Sequence, residues 1–218
     1  MAPFTVRDCA LVTIATGTWA QNLREFRDGL QRVPVDSIYH HFWGRLLQPW
    51  FDEPEYNNDF AAWAWHGLHD KALAERLAVV NPVDFQDLEE LREELLDIVE
   101  DRLDQSEYVP WSRADQRFHF LRSRIVVFDA GVRVETPEEL GRILPSLSEG
   151  AIYYHFIDAR RRTEQCSDDF CTWLEPLGER YRGLRERIGA IDPYFSSLQE
   201  IRRQLAQMFR EELEEVRA

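Results

Sequence analysis

Cysteine is scarce in this chain, and what is present makes no framework. Cys9, Cys166 and Cys171 are an odd set of three, which speaks against a disulfide-stapled secreted domain and for a reducing compartment. Cys166-x4-Cys171 has no histidine at ligand spacing, so zinc is not expected there. Basic charge is short as well: 26 Lys and Arg against 40 Asp and Glu leave a formal net charge of −14. That balance excludes a general affinity for nucleic acid, because phosphate binding needs a basic face. Anionic membrane surfaces are disfavoured for the same reason. No apolar run approaches the roughly 20 residues of a membrane span. The opening stretch MAPFTVRDCALVTIATG carries Arg7 and Asp8 inside its apolar run and lacks a basic leading region, unlike a signal peptide. The expected protein is soluble and cytoplasmic.

Signature motifs are missing too. There is no Gly-x-Gly-x-x-Gly, no Walker loop, no Gly-x-Ser-x-Gly and no His-Glu-x-x-His. This lowers the expectation of an enzyme, and no cofactor is predicted.

What is present is a repeat. Laying Phe4 on Phe118 aligns residues 4–42 with 118–156 without a gap, and Val12/Val126, Gly17/Gly131, Glu25/Glu139, Leu30/Leu144, Ile38/Ile152, Tyr39/Tyr153, His41/His155 and Phe42/Phe156 are identities. After a shorter second-copy loop, NNDFAAW meets SDDFCTW, LAERLAVVNP meets LRERIGAIDP, and FQDLEELREEL meets FSSLQEIRRQL. The colinear order points to a tandem duplication of a half-domain.

Each copy reads alike. CALVTIA and SRIVVF are strand-like, and Gly17 and Gly131 are read as turns. Asn22-x-x-Glu25 and Thr136-x-x-Glu139 are capping boxes, the second with Pro137 at the first helical position. Leu23, Phe26, Leu30 and Val33, and Leu140, Ile143, Leu144 and Leu147, have helical spacing. The Ile-Tyr-x-His-Phe helix follows, Asp59 and Asp169 stand where the next helix should start, and Pro82 and Pro193 break the chain. Leu88, Leu91, Leu95 and Ile98, and Leu198, Ile201, Leu205 and Met208, mark a last helix, with the acidic run 84–104 as its solvated face. The predicted fold is mainly α with minor β (α+β): two tandem helical repeats in a pseudo-twofold arrangement, one short strand per repeat. The units are 1–104 and 118–218, joined by a connector at 105–117, together one compact pseudo-dimeric domain.

SIYHHF, NDFAAW and LAERLAVVNPVDFQDLEELRE resemble an uncharacterised bacterial family, a domain of unknown function with a Ser-Ile-x-Tyr/His-His segment followed by Asn-Asp-Phe-x-x-Trp. The resemblance is clearest over 22–98 and recurs more weakly over 136–208, where SDDFCTW departs from the pattern. It implies membership and carries no activity.

His41/His155 and Asp59/Asp169 occur in both copies. Either they are buried imidazoles satisfied by carboxylates, or they are a duplicated acid–base pair with His41 as base and Asp59 orienting it. His66 and His69 in WHGLHD have the spacing of two metal ligands. Tyr39, His40, Trp43, Trp50, Phe51 and Tyr56 are candidate ligand or partner contacts, centred on the aromatic loop 47–60. Arg160, Arg161 and Arg162 are a solvated helix face or an anion contact. The leading expectation is a non-enzymatic binding or regulatory module for a protein partner or small ligand. The alternatives are a metal-dependent or His/Asp acid–base enzyme with its site in the first repeat and, more weakly, carbohydrate recognition. The oligomeric state stays open.

Overall fold

The computed structural model describes residues 2–48, 55–105, 112–162 and 167–215, with side chains as far as 212. Two strands of 17 residues each, β1 (Phe4–Ala20) and β2 (Phe118–Val134), pair antiparallel in a two-stranded sheet. After β1 come α1 (Leu23–Arg32), α2 (Val35–Trp43), α3 (Asp59–His66), α4 (Lys71–Ala78) and α5 (Leu88–Asp104). After β2 come α6 (Pro137–Ile143), α7 (Glu149–Ile152), α8 (Ala159–Arg162), α9 (Asp169–Leu174), α10 (Arg182–Gly189) and α11 (Leu198–Glu215). A π-helical stretch, Tyr153–Asp158, joins α7 to α8. No helix of the described residues is long and apolar enough to cross a membrane.

The expectation of two tandem helical repeats in a pseudo-twofold arrangement, with one short strand per repeat, is overturned: the strands are long and are not one per repeat. The chain forms two compact units, and their boundaries fall inside the strands. A first unit holds Leu11–Arg124, and a second holds the residues up to Ala10 together with those from Ile125 onward. Each unit therefore takes the end of one strand and the beginning of the other. The reason is length. Seventeen extended residues reach about 55 Å, whereas a domain of about 100 residues has a radius of gyration near 13 Å. A strand that long outruns any one helical cluster.

Gly17 and Gly131 do not turn the chain. Both lie within their strands at φ +82° and +72°, with nothing within 4 Å of a built Cβ. Glycine is required there by the left-handed backbone alone and not by crowding.

Helix starts follow the local chemistry. The Asn22 side chain accepts the Glu25 N–H at the start of α1, and Glu25 accepts the Gln21 N–H in return. Thr136 and Glu139 do the same at α6, reaching back to the Glu135 N–H. Asn58 and Asp168 cap α3 and α9, so Asp59 and Asp169 are first helical residues. An arginine of the last helix in each cluster reaches back to carbonyls at or just beyond the end of its first helix. Arg92 Nη1 donates to the Leu30 and Val33 carbonyls, and Arg202 Nη1 donates to the Leu147 carbonyl at 2.7 Å. A cation at a helix carboxyl end also meets the negative end of the dipole.

The first unit's core is aromatic: Phe26, Phe60, Trp63, Phe118 and Phe120 lie with ring centroids 4.8 to 5.7 Å apart. Gly29 of α1 is part of that packing, since a Cβ there would meet the Phe120 ring at 2.3 Å. In the second unit Phe4 packs against Phe170, Trp173 and His155.

Candidate functional site

Three residues on one face of α2 grip β2 within the first unit. Ser37, His40 and His41 stand at i, i+3 and i+4, and side chains at that spacing project together. Ser37 Oγ donates to the Leu121 carbonyl at 2.7 Å, His40 Nδ1 lies 2.5 Å from Ser123 Oγ, and the Leu121 N–H donates to His41 Nε2 at 3.0 Å. The last bond fixes the tautomer. Nε2 has no proton, so Nδ1 carries it and donates to Asp59 Oδ2 at 2.9 Å. Arg45 Nη1 donates to the other Asp59 oxygen at 3.2 Å.

The second unit builds the same link from β1. The Arg7 N–H donates to His155 Nε2 at 2.9 Å, and His155 Nδ1 lies 2.7 Å from Asp169 Oδ2. Arg162 Nη2 donates to that same oxygen at 3.0 Å. Both imidazoles are buried, 2% and 3% exposed, and both have two engaged nitrogens.

His40 differs from its neighbour. Burial, with the adjacent His41 ring as a lesser cause, pushes its pKa down to about 4, so His40 is neutral near pH 7. Gly44 makes room for it, because a Cβ there would meet His40 Nδ1 at 2.4 Å. Donor atoms of His40, His41 and Asp59 lie within 4.8 Å of one another, the one such group of three found among the described residues.

Two open cavities stand out among the described residues. One, of about 310 Å³ in the first unit, is lined by Leu68, His69, Asp70, Lys71 and Arg102 among others, and Asp70 and Arg102 close onto each other at 2.7 Å. The larger, about 410 Å³, lies wholly in the second unit between α8, α9 and α10, where Arg160, Asp168, Cys171, Thr172, Arg182 and Arg185 are prominent. The Cys171 thiol there is pushed above its ordinary value, mainly by burial and then by Asp168. Asp168 is itself pushed upward by burial.

A family model matches residues 1–210. The chain belongs to a family of unknown function, DUF5752. No curated protein matches it. The structure of OrfY from Thermoproteus tenax is similar, with a TM-score of 0.82 at 24% identity over 96% of this chain and 95% of that one, which shows a shared fold.

The DUF5752 chain brings His41 to Asp59 and adds His40, but it does not gather the other histidines there. His66 is exposed, 3.6 Å from Glu55. His69 is exposed at φ +57°, 2.7 Å from Asp115. Neither belongs to a group of three donors among the described residues. Tyr39 and Trp43 are buried, their rings 6.2 Å apart, and Tyr56 is half-buried with its ring 6.2 Å from Trp65. Trp50 and Phe51 lie outside the described residues. Trp63 is core, its Nε1 donating to the Gln116 carbonyl, so it offers no open ring to a sugar.

The arginine triplet of DUF5752 helix α8 divides its work. Arg161 and Arg162 both bind the buried Asp158, and Arg162 also covers the Tyr154 ring at 4.0 Å. Arg160 goes to the larger cavity and stacks on Phe156 at 4.7 Å. The sequence does not single out Arg182 and Arg185, because RYRGLRER reads as one amphipathic helix among several, with no local mark of a cavity wall.

Proposed function

We propose that this chain is a ligand-binding module and not an enzyme. The observation that carries this reading is the full engagement of both paired histidines. A general base needs a lone pair free to reach a substrate proton. His41 and His155 each have that lone pair filled by a strand N–H while Nδ1 faces a carboxylate. Their role is to fasten a strand to a helix, in both copies of the repeat. On this reading the ligand site is the 410 Å³ cavity of the second unit, whose size lies within the roughly 300–1,000 Å³ of small-molecule sites.

The test is a thermal-shift screen of small metabolites of every charge type, run in parallel on a Thr172→Trp variant whose indole fills the cavity. A compound that raises the Tm of the wild type and not of the variant supports the reading. If no compound shifts the wild type, or if every shift survives in the variant, the cavity is not the site.

A metal reading has one observation in its favour, the clustering of His40, His41 and Asp59 donors within 4.8 Å. It stands second because a cation there would have to take Nδ1 of His41 from Asp59 and leave Nε2 on Leu121. Stoichiometric metal in protein purified without chelator, absent from His40→Ala, would reverse the order.

A further inference from the structure

We propose that the cavity between α8, α9 and α10 binds a phosphoryl group carried by a small metabolite, with Arg160 and Arg185 as its principal contacts. The proposal rests on the reading of this cavity as the ligand site and names the ligand's chemistry.

Three guanidinium groups line the cavity, alongside the carboxylates of Asp168, Glu175 and Glu186. Their engagement is unequal. Arg182 is held by Glu186 at 2.9 Å. Among the described residues Arg185 pairs with Glu175 alone, at 3.7 Å. Arg160 has no ion pair among the described residues and lies over the Phe156 ring instead. Two buried donors of these side chains have no acceptor among the described residues: Nε of Arg160 and Nε of Arg185. A buried N–H is normally satisfied, so an orphaned pair on one cavity wall asks for an acceptor from outside.

Among the described residues no carboxylate reaches either Nε: Asp168 accepts the Cys171 N–H at Oδ1, Glu186 is taken by Arg182, and Glu175 faces Nη1 of Arg185. An acceptor suited to two guanidinium forks is a tetrahedral dianion with several oxygens, which can take Nε and Nη donors from both at once. All but one of the chain's 26 basic residues are arginine, the residue suited to such bidentate contact. The remaining volume exceeds a bare phosphate, which leaves room for the group that carries the phosphoryl.

The experiment is calorimetric titration of the full chain with inorganic phosphate, glycerol 3-phosphate and, as a carboxylate control, acetate, in a phosphate-free buffer at two salt concentrations. Saturable binding is expected for glycerol 3-phosphate, weaker binding for inorganic phosphate and none for acetate. Arg160→Gln and Arg185→Gln should each weaken binding at least tenfold, and Arg76→Gln, on a helix of the first unit, should leave it unchanged. Circular dichroism checks that each variant folds. If Arg160→Gln does not, Arg160→Lys keeps the charge while removing the Nε fork and should still lose several-fold. Equal binding by Arg160→Gln and wild type would overturn the proposal, as would the absence of saturable binding by either phosphate. Neutral or cationic compounds that stabilise the wild type but not Thr172→Trp, without any phosphate binding, would refute the phosphoryl class alone and leave the cavity as the ligand site.

Discussion

His41 Nε2 accepts the backbone N–H of Leu121 at 3.0 Å, across 80 residues of sequence. His155 does the same for Arg7 across 148. A side chain that accepts from a strand and donates to a helix-start carboxylate joins three elements at one ring. Its deletion therefore orphans a strand N–H and a carboxylate together.

His41→Ala should destabilise the protein by about 3 kcal/mol, combining a cavity with two lost hydrogen bonds. Urea denaturation followed by circular dichroism measures it. His155→Ala should cost a similar amount. A loss below about 1 kcal/mol at both sites would mean that the bonds are replaced by water and that the rings are free for other work.

Three glycines should respond differently to alanine, for different reasons. At Gly29 the new methyl meets the Phe120 ring at 2.3 Å, and overpacking of that kind costs roughly 1–3 kcal/mol. At Gly131 space is open but φ is +72°, so the cost is backbone strain of about 1 kcal/mol. At Gly183, in α10, nothing lies within 4 Å and φ is ordinary, so alanine should stabilise by about 0.5–1 kcal/mol. Thermal melts of the three variants give the order Gly183→Ala above wild type, wild type above Gly131→Ala, and Gly29→Ala lowest.

Stability should fall with acid because of His40. Its ring faces Ser123, His41 and, further off, Asp59. Its pKa is about 4 in the folded protein against 6.5 when exposed. The unfolded chain thus takes up a proton first, so the contribution is complete above pH 6.5 and is lost as pH falls from there to about 4. The loss reaches at most about 3 kcal/mol. Denaturation midpoints collected from pH 7 to pH 4 should show the slope, and His40→Gln should flatten it over that window.

Cys9 and Cys171 should be slow to react while the protein is folded. The Cys9 thiol is buried, donates to the Gly150 carbonyl at 3.2 Å, and is pushed up to about 12 by burial and then by Asp8. At pH 8 only about one Cys9 in ten thousand is then thiolate, the reactive form. Peptide mass spectrometry after a brief iodoacetamide pulse should find both residues unmodified in buffer and alkylated in urea. Rapid native labelling of Cys9 would show that the strand start opens easily.

Local signals of the sequence proved legible wherever partners lie within about four residues. Asn22 and Glu25, and Thr136 and Glu139, make the reciprocal caps that their spacing predicts, because a helix start is settled by groups one turn apart. Apolar spacing likewise placed Leu23, Phe26 and Leu30 on a buried face, and His41 meets Asp59 as His155 meets Asp169. The tertiary structure alone decided which strand each histidine would hold. Phe118 and Phe120 pack with α1 and α3, and Phe4 packs with α9, an arrangement invisible to any pattern because Phe4 and Phe118 look the same in either place. It also carried the strands through Gly17 and Gly131, where local chemistry reads a turn and cross-strand hydrogen bonding overrides it. Within Arg160–Arg162, identical neighbours were separated by a buried carboxylate on one side and a cavity on the other. Helix starts depend on chemistry one turn long, and sequence carries that in full. Strand partnership depends on surfaces 80 residues or more apart, and the larger cavity's walls on helices up to about 30 residues apart; only packing selects among them.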